Sequence, residues 1–300
     1  SADGYSQSAT RTETLAGGVI QAGGNAVIIA HGAGVTDAQL AHIAGAARVV
    51  VDGDDVNVVR NALPTAAPPA AADANAPTAE ADPNASDPKK YFGAEGTGNA
   101  RLTGVQATAG SGQVYVYANN DVTIEHQTTS QSGQSESETA KKRFLGSSAS
   151  ASSNRYFTEQ VNGSALSGNV VTIRAGHDVT VQASQIVADQ NASVNAEGDL
   201  TVTTATTTSE SDQHSSSRKS GLLSADAGFT LGKQSQSQSG TDASIEHIGS
   251  QIGSLNGHVE LDAGGNARLV GSDVLAAGDI TVAGNNVEIL SVENKNTQAQ

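Results

Sequence analysis

Short apolar runs of three to five residues, separated by glycine and acidic residues, recur along this chain at a spacing close to twenty. The pattern is clearest from Gly168 to Thr204. There Val170-Val171-Thr172-Ile173 and Val179-Thr180-Val181 flank Gly176-His177-Asp178, which predicts strand, tight turn, strand. The pair recurs at Ala192 (192 − 170 = 22) and Leu200 (200 − 179 = 21). Such a period is too long for a simple hairpin and too short for a helical repeat, and it suits one turn of a parallel β-solenoid. On this reading Val170, Ile173, Val179, Val181, Val194, Leu200 and Val202 face the interior or the next coil, and Thr180 faces out.

Three imperfect copies accompany this one. The first opens at Leu15 with Val19-Ile20 and Val27-Ile28-Ile29 around Ala22-Gly23-Gly24-Asn25-Ala26, a pentapeptide repeated letter for letter at Ala263 to Ala267. Another begins with Gly98-Asn99-Ala100-Arg101-Leu102, found again at Gly265 to Leu269, and continues with Val114 to Tyr117 and Val122 to Ile124. The last runs from Gly257 to Leu290, with Val259 and Ile280 21 places apart (280 − 259) and Ala267 and Val287 20 apart (287 − 267). Four modules of about two coils each follow, none able to bury its apolar face alone.

Other stretches break the pattern. Leu40, Ile43, Ala44 and Ala47 fall at helical spacing behind Thr36 and Asp37, which predicts one or two helical turns inserted in a coil. All six prolines lie between Pro64 and Pro88. Proline removes a ladder donor, so 61–92 reads as a Pro/Ala-rich loop or linker between first coils in 1–60, frayed at the polar N-terminus, and a main repeat region over 93–300. Within the latter, about 127–160 and 205–243 are crowded with Ser, Thr, Gln and Glu and have no burial to offset their ordering entropy. They resemble each other, with Lys142-Arg143-Phe144-Leu145-Gly146-Ser147 echoed by Arg218 to Ser224. Shared pattern favours shared form, either long polar β-hairpins projecting from the stack or disordered loops.

Composition supports a lean core. Only 3% of the residues are aromatic, and Met, Trp and Cys are absent. A globular core of 300 residues would use larger side chains, whereas a solenoid interior stacks Val, Ile, Leu and Ala. The net charge of −15 argues against nucleic acid and equally against an anionic membrane surface. No apolar run is long enough for a membrane-spanning helix. The opening residues show neither an initiator Met nor the apolar centre of a signal peptide, which reads as a segment of something longer.

Candidate chemistry is sparse. Asp121, Asp178, Asp199 and Asp279 sit at turns, where their own backbone hydrogen bonds explain them better than a calcium site does, since no GGxGxD tandem is present. Polysaccharide cleavage on a β-helix is the enzyme alternative and needs two carboxylates, or a carboxylate with a basic partner, in a groove. Only Asp54-Asp55 clusters acids, and a solvated turn accounts for it. Ile124-Glu125-His126 recurs as Ile245-Glu246-His247, but neighbours on a strand point to opposite faces and cannot chelate together, so equivalent strand position explains the recurrence. The basic clusters Lys141-Lys142-Arg143 and Arg218-Lys219 are candidate surface contacts for a lipopolysaccharide phosphate or a glycan. No catalytic residue, cofactor or metal ligand is expected.

The ordered recurrence of AGGNARLVGSDVLAAGDITVAGNNVEIL at 263–290, AGHDVTVQASQIVA at 175–188 and SGLLSADAGFTLG within 218–232 resembles the haemagglutinin-repeat region of large bacterial exoproteins of the filamentous haemagglutinin and contact-dependent growth inhibition type. The resemblance runs from about Leu15 to Gln300. It implies an all-β chain built as a right-handed parallel β-helix with polar insertions. It also implies secretion by an outer-membrane partner, a place at the cell surface, and contact with a target-cell receptor or glycan in adhesion or toxin delivery. The uncovered end coils add possible end-to-end self-association.

Overall fold

The computed structural model describes residues 2–13, 18–32, 49–53, 55–59, 96–143, 146–225 and 228–299. Among the described residues every regular element is a strand. The helical turns expected within 36–47 and the proline-rich stretch 61–92 lie outside them.

Two parallel sheets form the body. The larger, of ten strands, holds β2 (Val19–Ala22), β3 (Ala26–Ala30), β4 (Val49–Gly53), β7 (Gln106–Ala118), β11 (Ala165–Ala175), β13 (Gln185–Ala196), β17 (Gln251–Ser254), β18 (Val259–Ala263), β20 (Asp273–Ala276) and β21 (Ile280–Ala283). The smaller holds β5 (Val56–Val59), β6 (Ala100–Thr103), β8 (Val122–Glu125), β12 (Val179–Gln182), β14 (Leu200–Thr203), β19 (Asn266–Val270) and β22 (Asn286–Leu290). The chain alternates between them, and each pass lies on the one before. Val171 pairs with Ala192 (192 − 171 = 21) and Val179 with Leu200 (200 − 179 = 21), so the spacing is 21 at both places.

Alternation within each run sends every second side chain inward. Leu166, Ile186 and Ile252 form one file of interior residues, Ile28, Val116, Ile173, Val194 and Leu261 a second, and Leu102, Ile124, Val181, Val202 and Leu269 a third. Fully burying such a side chain contributes about 1.5–3 kcal/mol. Val170 is a correction: it is only half-buried, and Val171 takes the interior place. Val170 and Ile173 have opposite parity, and the register shifts between Gly168 and Val170, which moves the phase by one.

The first pass is assembled from distant pieces. Its strands in the larger sheet are β2 and β3, while its strand in the smaller sheet is β6. The adjacent amides of Asn119 and Asn120 in the next pass donate to Ala30 O and Gly98 O at 2.9 and 3.0 Å. Gly98 has φ +91°, and a Cβ there would stand 2.6 Å from Gly32 N, so the junction admits only glycine. Strands β4 and β5 lie on the outer side of β3 and β6 and cover part of that end.

A third sheet is antiparallel and polar. Both insertions are hairpins, β9 (Gln127–Arg143) with β10 (Gly146–Asn162) and β15 (Ala205–Ala225) with β16 (Gly228–Ile248), somewhat longer than the sequence suggests. The hairpins pair with each other through β10 and β15. Strand β1 (Ala2–Thr12), expected to be frayed, pairs with β9 along its whole length, and β23 (Lys295–Ala299) pairs with β16. One hairpin leaves for every two passes. Two passes and two hairpin strands each advance about 9.6 Å, given a strand spacing near 4.8 Å, so successive hairpins meet in pairing distance.

Candidate functional site

Every strand of the smaller sheet begins at an Asp or Asn, from Asp55, Asn99 and Asp121 through Asp178 and Asp199 to Asn266 and Asn286. Their side chains form a file of hydrogen bonds from pass to pass. The Asn99 amide donates to Asp55 Oδ1 at 2.7 Å and the Asp121 amide to Asn99 Oδ1 at 3.4 Å. The Asp178 amide donates to Asp121 Oδ1 at 3.1 Å, that of Asp199 to Asp178 Oδ1 at 2.8 Å, and that of Asn266 to Asp199 Oδ1 at 2.7 Å. Asp279 is not equivalent. It precedes β21 in the other sheet, and its amide donates to His258 Nδ1 at 2.9 Å, while the His258 amide donates to Asn191 Oδ1 at 3.1 Å.

His177 stands on the first file. Its Nδ1 lies 2.9 Å from Asp121 Oδ1 and 3.4 Å from Asp178 Oδ2, and the hydrogen bond to Asp121, helped by the charge of Asp178, raises its pKa above the ordinary value. Asp121, His177 and Asp178 bring donor atoms within 4.8 Å of one another, the one such group among the described residues. Both carboxylates already accept a backbone amide, and all three side chains are substantially exposed.

The repeated Ile-Glu-His triplets do not occupy equivalent positions. Ile124 is wholly buried in β8, whereas Ile245 is 41% exposed in a hairpin arm. The shared letters reflect two surroundings, not one. His126 lies at the root of the first hairpin, where burial lowers its pKa, and its Nδ1 has no hydrogen-bond partner. AGGNA likewise turns different corners, from β2 to β3 in one copy and from the larger sheet to the smaller in the other.

Sequence reasoning missed a file of serines. The amides of Val105, Ser164, Ser184 and Ser250 donate to the hydroxyls of Ser164, Ser184, Ser250 and Ser272 at 3.0, 3.1, 3.3 and 3.1 Å. Those hydroxyls donate in turn to carbonyls at the ends of the preceding strands, as Ser184 does to Gln182 O at 2.8 Å. Ser164, Ser184 and Ser250 are buried. A signal exists: GSAL, ASQI, GSQI and GSDV at 163, 183, 249 and 271 each place Ser two residues before an aliphatic. The hairpins leave the body just before this corner.

Tertiary pairing gathers the predicted basic residues near the end of the first hairpin, several residues short of the end of the second, which goes on pairing to Ala225 and Gly228. Lys141 is opposite Ser148, and Ser148 is opposite Lys219, so these two lysines share one row and one face. Lys142, Ser147, Ser220 and Lys233 form the next row, on the other face, with Arg218 on that same face. Lys141, Lys142, Arg218, Lys219 and Lys233 are exposed and without a carboxylate in ion-pair range among the described residues. Arg143 pairs through its backbone with Gly146. In the body, by contrast, Arg101 pairs with Glu125 at 2.7 Å and Arg268 with Glu288 at 2.8 Å.

Comparison with known proteins adds a family. The model for the hemagglutinin repeat matches residues 145–300. The chain is 33% identical over 182 residues to the tRNA nuclease CdiA of Escherichia coli (strain STEC_O31), covering 60% of this chain and 6% of that protein. It is 35% identical over 137 residues to the toxin CdiA of Yersinia pestis, covering 45% and 4%. It is 36% identical over 125 residues to the deoxyribonuclease CdiA of Yersinia pseudotuberculosis serotype O:3 (strain YPIII), covering 41% and 12%. The chain therefore spans only a small fraction of these relatives. No solved structure matches it.

Proposed function

The chain belongs to the hemagglutinin-repeat family, and from that premise we propose that it is a structural and interaction segment of a large secreted bacterial adhesin or toxin-delivery protein. Its body is a right-handed parallel β-helix acting as a rigid spacer at the cell surface. An outer-membrane partner exports the parent protein, and a receptor or glycan on the target cell receives it. The observation that carries this reading is the stack itself, in which successive passes superpose interior residue on interior residue. Near-equivalent passes give length, stiffness and repeated surface rather than one reactive point.

Two features support the non-enzymatic reading. The carboxylates from Asp55 to Asp199 are used as backbone acceptors. Relatives named as a tRNA nuclease and as a deoxyribonuclease match the same chain, so a shared spacer fits better than a shared catalyst. The final pass leaves its interior-facing Ile280, Val287 and Ile289 exposed at 46%, 43% and 69%, which supports end-to-end association of isolated segments.

The test compares single substitutions with a module deletion in the full-length parent protein. Asp178→Asn or Asp279→Asn should leave cell binding or delivery nearly unchanged, while removing a two-pass module with its hairpin should impair it. Polysaccharide cleavage by this chain, abolished by one Asp→Asn change, would replace the scaffold with a carbohydrate-active enzyme.

A further inference from the structure

Strands β1 and β23 lie at the two edges of the hairpin sheet, and their registers mark them as hairpin arms. Val19, Ala165 and Gln251 hold one place in the larger sheet, and Val122, Leu200 and Val287 one place in the smaller. Counted from these places, β10 meets β15 with Thr158, seven residues before Ala165 (165 − 158), opposite Ser209, nine after Leu200 (209 − 200). Strand β1 meets β9 with Thr12, seven before Val19 (19 − 12), opposite Gln131, nine after Val122 (131 − 122). Strand β16 meets β23 with Ser244, seven before Gln251 (251 − 244), opposite Asn296, nine after Val287 (296 − 287). All three are the same contact. Strand β1 therefore stands as an arm returning to the body, and β23 as an arm leaving it.

The hairpin sheet keeps step with the body. From the pass of β2, β3 and β6 to that of β20, β21 and β22 the body makes six passes, and the hairpin sheet has six strands in the matching order. Only the last arm is short. Among the described residues β23 covers β16 from Ile245 to Thr241, and from Ser239 back to Gly228 the outer edge of β16 has no partner strand. Lys233 to Ser239 are exposed, and Lys233 is the one charge over 228–239. With no proline and a single charge, this edge has little to keep a further strand away.

We propose that the outer edge of β16 from Gly228 to Ser239 is the docking edge for the rest of a third outgoing arm, the arm that β23 begins, so that the hairpin sheet is a joint between successive modules. This deepens the scaffold reading and rests on it, by naming what the unfinished edge receives. The occupant follows from count and direction. An arm as long as β15 ends 25 residues beyond the place of Leu200 (225 − 200), and in the shared register that position falls opposite the residue 23 before Gln251 (251 − 228), which is Gly228, the first of β16. The first hairpin keeps the same offset, with Arg143, 21 after Val122 (143 − 122), opposite Gly146, 19 before Ala165 (165 − 146). The open edge is thus as long as the arm that would close it. Antiparallel pairing with β16 of a second copy would instead set the two bodies at opposite ends of the sheet and break the step of one arm per pass.

The test is backbone hydrogen exchange, read by NMR, on the whole chain and on the whole chain extended after Gln300 by a copy of residues 214–248. The extension continues the count, since Gln213 lies 13 places after Leu200 (213 − 200) and Gln300 13 after Val287 (300 − 287). In the unextended chain every second amide of β16 between Gly228 and Ser239 should exchange fast, because it faces away from β15. In the extended chain those amides should slow by about tenfold or more, with the added arm protected and the amides of β11 to β14 unchanged. Proline at the added copies of Ser215 and Ser216 should restore fast exchange along the edge, since proline brings no donor. A shorter extension by a copy of 214–225 carries the same expectation and replaces the longer one if that fails to fold. Fast exchange along the edge of the folded extended chain, protection of the added arm without the edge, or an edge already protected in the unextended chain by a second copy would overturn the proposal. The scaffold reading fails separately, by the module deletion leaving delivery intact.

Discussion

The parallel body and the hairpin sheet are built from the same extended backbone and hold themselves together by opposite means. In the body, paired residues of neighbouring strands are separated by 20 positions or more, and the files of Val, Ile and Leu between the sheets are almost wholly buried. In the hairpin arms the only buried side chains among those described are Thr129 and Ala205, both near the root. Long-range pairing carries a loop-closure cost that a dry interior offsets. Hairpin pairing is local, and here each hairpin is also held by a root fixed in the body, by the other hairpin on one side and by β1 or β23 on the other. A polar sequence that could not order itself alone is ordered by where it is attached.

The largest expected break in this contrast comes from Val181→Asp. Val181 is wholly buried between Ile124 and Val202. An unpaired buried carboxylate costs several kcal/mol, against domain stabilities of about 5–15. Thermal melting should show lost or uncoupled unfolding of the adjoining passes. Thr180→Asp on the outer face and Ser152→Asp on the hairpin face should each stay within about 0.5 kcal/mol of the original. Equal melting of Val181→Asp and Thr180→Asp would refute the assignment of the interior.

Removing one serine hydroxyl from the buried corner should come next. In Ser184→Ala the Ser164 amide loses its acceptor, for a cost of about 1–3 kcal/mol. Ser137→Ala, which breaks a hydroxyl pair with Ser152 on the exposed sheet, should be close to neutral by the same denaturation measurement.

Two histidines sharpen the contrast with opposite signs. The folded pKa of His177 lies above the ordinary 6.5, so its stabilisation is complete below that pH and disappears as pH rises through the folded value. The folded pKa of His126 lies below 6.5, so acid costs stability there as the unfolded chain takes up the proton more readily. His177→Gln should therefore be most destabilising near pH 5.5 and neutral at pH 8.5, while His126→Gln should lessen the loss on acidification. NMR titration of both imidazoles checks the direction, and salt should weaken the His177 effect because that side chain is exposed.

The smallest effect on the body should come from the largest deletion. Where no hairpin intervenes, Gln182 reaches Ser184 through Ala183 alone, in the left-handed region at φ 45°, and Val270 reaches Ser272 through Gly271 at φ 51°. Deleting 204–248 leaves Thr203-Gly249-Ser250, the same corner with glycine at the left-handed place. The shortened chain should melt within about 1 kcal/mol of the original by denaturation. Collapse of the stack would show that the hairpins support the body, reversing the dependence argued above.

Much of the body was legible in the sequence. Repetition of β-branched residues between Gly, Asp and Asn turns fixes the period and most of the interior, because alternation on a strand admits only two phases and apolar residues choose between them. Val170 escaped because Val170-Val171 satisfies both phases and the register shift at Gly168 is invisible in the letters. The turn aspartates were recognisable as turn residues, while their linkage into a file, and the exclusion of Asp279 from it, needed the stacking. The serine corner left a trace in GSAL, ASQI, GSQI and GSDV that the abundance of serine elsewhere concealed. Only the tertiary structure could join β2 and β3 to β6 in one pass, set Lys141 beside Lys219, and pair β1 with β9. Those pairings are made by backbone amides and carbonyls, which are the same for every residue but proline, so the side-chain pattern does not encode them. Those within the hairpin sheet follow instead from two passes and two hairpin strands having equal rise.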